Sequence, residues 1–272
     1  MPMYDQTSSA KKAKVTARDT AGDTAGDTAE ATATGALSDR DLRVPFFCEE
    51  NAWRLAYRHL HGPGSAQNKA TWEDYHVVFV SNEQRCVPFF RQRARSNNPG
   101  EHVFWDYHVF VIRNRERIGY QQTTSLEVEV LDVDTWLPFP CLVGEYLEES
   151  FPYAKNAKLD PRYLPIFRVI PATQHLLHFY SDRMHMVKDG KWSAPPPKYQ
   201  PILNGLSSLN IQSNEHDTKA ATCSGSNLEM YISMTSDLAE DTQSNYKVLV
   251  DERRGTVFTL EQFRDRFISF GG

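Results

Sequence analysis

Long apolar runs are missing from this chain. No stretch approaches the roughly 20 residues that a membrane-spanning helix needs, and no apolar segment follows the N-terminus as it does in a secretory signal. An excess of positive charge is missing too. The net charge is −5, which leaves no electrostatic footprint for nucleic acid. The basic cluster Lys11-Lys-Ala-Lys14 is short and reads as a solvated patch, and Asp5 with the aspartates from Asp19 onward spoils the acid-poor pattern of a transit peptide. Cysteine is scarce: Cys48, Cys86, Cys141 and Cys223 lie far apart with no Cys-x-x-Cys pair, which argues against a disulfide framework and against structural zinc. His175 and His178 stand three apart without an acidic or cysteine partner in the same pattern, and read as an ordinary helix-face pair. These absences predict a soluble protein of the cytoplasm, with the nucleus as a second address, and no membrane or nucleic-acid partner.

Aromatic residues are nearly absent from the start of the chain. Residues 1–38 hold a single one, Tyr4, beside the repeat Asp19-Thr-Ala-Gly-Asp-Thr-Ala-Gly-Asp-Thr-Ala29. Such a segment cannot bury enough apolar surface to offset its ordering entropy. We read 1–40 as a disordered low-complexity tail and 41–272 as one catalytic domain, long enough for a substantial core. Ser, Asn, Thr and Gly crowd 204–227, which reads as a flexible insertion, with a smaller one at 237–245.

Within the domain, 75–80 reads as a buried strand and 86–90 as a short apolar run that Pro88 places at an edge. The stretch 104–112 reads as one strand with Asp106, His108, Phe110 and Ile112 on a common face. A second strand, 126–133, carries Val128, Val130, Asp132 and Asp134 on one face. The polar stretch 113–125 joins the two as an antiparallel hairpin. Residues 137–142 turn the chain into a helix through Phe151, 167–170 form a strand, and Thr173 caps a helix through Tyr180. A terminal hairpin pairs 248–250 with 256–258, and Thr259-Leu-Glu-Gln262 is a capping box opening a last helix. This order predicts an α+β domain with helices packed on a largely antiparallel sheet.

The chemistry starts at Cys48. The run 48–60 has apolar residues at Ala52, Trp53, Ala56, Tyr57 and Leu60, which is helical spacing. A cysteine at a helix N-terminus feels the positive end of the macrodipole, which favours the nucleophilic thiolate. His108 and Asp132, on neighbouring predicted strands, supply a base and a carboxylate to hold it. Each residue alone has an ordinary structural reading as packing, core histidine or strand end. Together they stand in a working order for cysteine acyl transfer.

At that point the motifs become specific. Cys48-Glu-Glu-Asn51 with Trp53, Ser81-Asn-Glu83, Trp105-Asp-Tyr-His-Val109, Asp132-Val-Asp-Thr135 and Leu137-Pro-Phe-Pro-Cys-Leu142 occur in order. Phe167-Arg-Val-Ile170, Ser181-Asp-Arg183 with His185-Met186, Trp192 with Pro195-Pro-Pro197 and Tyr199, Tyr231-Ile-Ser-Met234, and Phe258-Thr-Leu260 to Phe267 follow. Covering most of 44–272, they make the chain resemble the protein N-terminal glutamine amidohydrolases. Leu131, where that family often has an aromatic residue, the tail and the 204–227 insertion depart from the pattern.

The resemblance implies a papain/transglutaminase-like cysteine hydrolase fold and a catalytic triad of Cys48, His108 and Asp132. It also implies hydrolysis of the side-chain amide of N-terminal glutamine through a thioester, giving glutamate and ammonia, with no metal or organic cofactor. Substrates would be proteins and peptides with a free N-terminal Gln, the enzyme a monomer, and the product a feed for the N-degron pathway. The substrate's α-ammonium calls for a carboxylate at the cleft; Asp106, Asp134 and Glu49 are the candidates, with no ground in the sequence to choose. Two rivals remain: a cysteine protease or transglutaminase-like acyl transferase, and a non-catalytic module that binds protein N-termini. Pro196-Pro-Lys-Tyr199 fits a ligand pattern for WW domains but reads as a structural turn. Cys86 and Cys141 read as inert core thiols, and the Ser181–His185 segment as structural or cleft-shaping.

Overall fold

The computed structural model describes residues 37–62, 74–94, 98–118, 124–155, 160–203, 205, 225–234 and 254–268. The tail to residue 36, most of the 204–227 insertion, and the stretches 237–245 and 248–250 lie outside them. Of the last residues assigned to the tail, Asp39 opens a 3-10 turn, Asp39–Leu42, and its carboxylate pairs with Arg58 and His59.

Helix α1, Cys48–His61, forms as its periodicity predicts, burying Cys48, Ala52, Trp53, Leu55 and Ala56. Glu49 and Glu50 stand in its first turn and Arg58, His59 and His61 in its last, both favourable to the macrodipole. Strands β1 (Tyr75–Ser81), β4 (His108–Ile118), β5 (Thr124–Leu131), β6 (Cys141–Leu142), β7 (Ile166–Pro171) and β10 (Thr256–Thr259) make one antiparallel sheet, in the order β10-β7-β1-β4-β5-β6. Two small pairs stand apart: β2 (Val87–Phe89) with β3 (Val103–Trp105), and β8 (Val187–Lys188) with β9 (Lys191–Trp192).

Both faces of the main sheet are covered. Val77, Phe79, Val109, Val111 and Ile170 pack with α1, with α3 (Ala172–His178) and with α4 (Leu228–Ile232). Val78, Val80, Phe110, Ile112, Val128, Val130 and Phe167 face α2 (Val143–Ser150) and α5 (Leu260–Ile268). Burial on both faces is why β1 reads as an unbroken apolar run rather than an alternating one. At the β7–β10 edge, the guanidinium of Arg168, 2 % exposed, donates to the carbonyls of Tyr231, Ser233 and Arg254 at 3.1, 2.5 and 2.9 Å. Gly255 follows at φ +67°, so close to the Val169 carbonyl that a Cβ would overlap it.

Three expectations need correction. The run 104–112 is two strands: the Asp106–Tyr107 turn separates β3 from β4, held by Ser81 Oγ donating to the Asp106 carbonyl at 2.6 Å and by the Asp106 carboxylate accepting from the Tyr107 amide at 3.0 Å. Asp106 therefore does not share a strand face with His108. The polar stretch 113–125 is not mainly a connector, since β4 runs to Ile118 and β5 starts at Thr124; the charged arms pair across the ladder, Arg113 and Arg115 both on Glu129. Helix α3 starts at Ala172 with Pro171 as its N-cap, so Thr173 lies inside the first turn. Strand β10 pairs with β7 on one side, and its expected partner 248–250 lies outside the described residues. The capping box at Thr259 is present: Gln262 N donates to Thr259 Oγ1 at 3.2 Å and Thr259 N to Gln262 Oε1 at 2.9 Å.

Candidate active site

The sheet gathers its chemistry at one end, where β4 begins, β5 has just ended and α1 starts. His108 is the first residue of β4; Asp132 immediately follows β5; Cys48 is the first residue of α1. The turn into α1 is fixed by Asn51, whose side chain exchanges two 2.9 Å hydrogen bonds with the backbone of Val44. Phe46 sits at φ +69° within that turn, an unusual conformation for a side chain of its size, with its ring edge on Trp105. Arg43 ties the same turn to the one after β5 by a 2.6 Å bond to Asp134.

His108 and Asp132 come together. His108 Nε2 donates to Asp132 Oδ2 at 3.0 Å, and both side chains are sealed from solvent. Trp105 stacks on the imidazole and Phe89 meets it edge-on. Because a carboxylate only accepts, Nε2 carries the hydrogen, leaving Nδ1 as the basic nitrogen of the neutral ring. Nδ1 is buried with no hydrogen-bond partner among the described residues. Burial disfavours the charged imidazole, yet the Asp132 charge outweighs it and holds the pKa above the usual value. For Asp132 burial opposes ionisation, and the His108 charge with hydrogen bonds overcomes it, lowering the pKa.

Asp132 is itself held by residues that the sequence did not single out. Tyr146 of α2 donates to Oδ2 at 2.7 Å and Gln92 Nε2 at 3.2 Å, while the Asp134 amide donates to Oδ1 at 2.9 Å. The last is an Asx-type turn, a local use of the aspartate side chain. Tyr146 sits on the buried stripe of α2 with Val143 and Leu147, so its sequence signature is that of core packing. Gln92 comes from the segment after β2 and has no sequence signature at all.

Cys48 lines a cleft of about 370 Å³ with Phe46, Trp105, Asp106, Tyr107 and His185 among its walls. Arg85 and Glu229 form an ion pair on its rim. Burial, then the Glu49 and Asp134 charges, push the Cys48 thiol well above its ordinary pKa, against the direction expected from the helix start, with a backbone hydrogen bond from Val109 acting the other way. Burial also raises Cys86, and lifts Cys141 to about 12.

The three carboxylates considered for an ammonium separate clearly. Asp134 is 2 % exposed and paired with Arg43. Asp106 is exposed on the cleft wall. Glu49 is fully buried directly behind Cys48: its Oε2 lies 3.6 Å from Cys48 Sγ and accepts from Tyr107 Oη at 3.2 Å. The Ser181–His185 segment shapes this side of the cleft. Arg183 grips Glu50 through two 2.7 Å bonds and donates to the Tyr199 carbonyl, which builds the Pro196–Tyr199 turn into the fold. His175 is buried among Phe79, Phe179 and Tyr231, and among the described residues no group of His, Cys, Asp and Glu is arranged to hold a metal.

The family model described as N-terminal glutamine amidase matches residues 43–267 of this chain. Curated relatives are similar over 162 residues: the protein N-terminal glutamine amidohydrolases of Drosophila melanogaster, Drosophila ananassae and Drosophila virilis are each 40% identical, over 59% of this chain and 71% of theirs.

Proposed function

Because this chain belongs to the N-terminal glutamine amidase family, we propose that it hydrolyses the side-chain amide of an N-terminal glutamine, releasing ammonia and leaving glutamate. The observation that carries the reading is that the family match spans the cleft cysteine together with the hydrogen-bonded His108–Asp132 pair at the same end of the sheet.

The geometry supports the following course. Cys48 rests as a thiol, so its proton leaves as the sulfur attacks rather than beforehand. His108 Nδ1, made more basic by Asp132, takes that proton while Sγ bonds to the carboxamide carbon. The oxyanion falls to N–H groups at the start of α1, which a helix leaves without internal partners. His108 then protonates the departing nitrogen, ammonia leaves and a thioester remains. Water, giving a proton to His108, attacks the thioester carbon; the carboxylate product departs and the thiol is restored. Asp132 keeps the ring in one tautomer throughout, itself fixed by Tyr146 and Gln92. An N-terminal Asn fails because its amide carbon, one methylene shorter, misses the sulfur, and an ångström of misplacement costs about a hundredfold.

Ammonia release tests the reading, using Gln-, Asn- and N-acetyl-Gln-initiated peptides with wild type and Cys48→Ala. Release from the free Gln peptide only, and only by wild type, is the expected result. Peptide cleavage or cross-linking in its place would make the chain a protease or acyl transferase; binding without turnover would make it a recognition module.

A further inference from the structure

Glu49 and Glu50 are adjacent, and neither has any exposed surface. Glu50 is fully matched by the Arg183 guanidinium. Glu49 has no such fixed cation. Its Oε2 takes a hydrogen bond from Tyr107 and touches Cys48; its Oε1 has no hydrogen-bond partner among the described residues and stands 3.5 Å from Nε2 of His185. A buried carboxylate demands a matching charge. Here the neighbour that can supply one is a histidine whose side chain is 25% exposed on the cleft wall. Cys48 and Tyr107, the other two groups touching Glu49, line the same cleft.

Resting on the deamidase reading, we propose that Glu49 is the counter-charge for the substrate's α-ammonium, which takes the place of the His185 ring beside Oε1. The same carboxylate opposes ionisation of Cys48. A cation bound there cancels that opposition, so the free N-terminus of the substrate both anchors it and readies the nucleophile. An internal or acetylated glutamine brings no charge and finds a resting thiol. His185 is the stand-in cation of the empty cleft: burial works against its charged form, but the Glu49 carboxylate prevails and raises its pKa. The other charged and titratable groups facing this cluster are Asp106 from the β3–β4 turn, Asp134 from the turn after β5, and Glu50 with Arg183. Asp134 and Glu50 already have arginine partners, which leaves Asp106 as the competing anchor.

The test compares Glu49→Gln, Glu49→Asp and Asp106→Asn with wild type in two assays. In the first, kcat and KM are measured on a free Gln-peptide and its N-acetylated form. Glu49→Gln should lose about a hundredfold or more of the preference for the free N-terminus, mostly through KM, with partial rescue in Glu49→Asp. Asp106→Asn should keep the preference. In the second, neutral iodoacetamide alkylates Cys48 without substrate; Glu49→Gln should react about tenfold faster than wild type at the same pH, with an unchanged melting temperature showing that the gain does not come from loosening of the site. Preference kept in folded Glu49→Gln, or lost in Asp106→Asn, overturns the assignment, as does an unchanged alkylation rate. If Glu49→Gln does not fold, the Asp106→Asn result decides. Wild type that releases no ammonia sinks the deamidase reading by itself, and the alkylation assay still judges the coupling of Glu49 to Cys48.

Discussion

His108 and His175 are both sealed from solvent, on opposite faces of the same sheet. His108 has a carboxylate on one nitrogen and its pKa is raised; His175 has aromatic rings around it, no hydrogen-bond partner on either nitrogen among the described residues, and burial drops its pKa to about 3. Equal burial thus goes with opposite pKa shifts, and the difference is one partner. A histidine with a buried anion behind it can take and return a proton in the working pH range; one without is held neutral and acts as a slightly polar aromatic. Linkage follows the same division. His175, depressed, contributes stability above the unfolded value of about 6.5 that is lost as pH falls towards 3. His108, raised, contributes stability below about 6.5 that is lost as pH rises through its folded value.

The most severe way to break the contrast is Asp132→Asn. It removes the anion and leaves the shape, so His108 should behave like His175, its NMR titration falling below the ordinary value. Turnover should drop by about 10³–10⁴-fold, as when other triads lose their carboxylate. An unshifted His108 would show that burial, not Asp132, sets its protonation. A milder variant, Tyr146→Phe, deletes the 2.7 Å bond to Asp132 while Gln92 and the Asp134 amide remain. One hydrogen bond to a charged group is worth about 1.5–3 kcal/mol, so a ten- to hundredfold loss in kcat/KM is expected, and wild-type kinetics would show that Asp132 needs no such support. The smallest effect on activity belongs to His175→Leu, which should leave kcat unchanged. Chemical denaturation between pH 6 and 4 should instead show the variant losing stability less steeply than wild type, by up to about 1.4 kcal/mol per pH unit. Parallel slopes would mean that His175 takes up a proton in the folded state.

Elements with a single dominant signal were readable in the sequence. The 3.6-residue pattern set α1, continuous apolar character set β1, and Thr259 with Gln262 set the start of α5. The long hairpin arms were missed because their outer halves are charged and stabilised by cross-strand pairs such as Arg113–Glu129, which no periodicity reveals. The break at Asp106 was missed because it depends on Ser81, a residue on another strand. The pairing of His108 with Asp132 could be anticipated because both lie near the ends of a predicted hairpin. The groups behind Asp132 could not, since Tyr146 looks like core and Gln92 arrives from a distant segment. The upward push on the Cys48 thiol was hidden for a related reason. The helix start is a local feature, whereas the burial and the Asp134 charge acting on Cys48 arise from tertiary structure.

Arg168 has a consequence beyond its own packing. By holding the carbonyls of Tyr231 and Ser233 on one side and Arg254 on the other, it pins both ends of the connection from 234 to 254 to β7. Gly255 then lets the chain turn in against Val169. One side chain thus couples α4, the residues just after it and the entry to β10 to a single strand, so that a substitution such as Arg168→Leu would loosen all three attachments together.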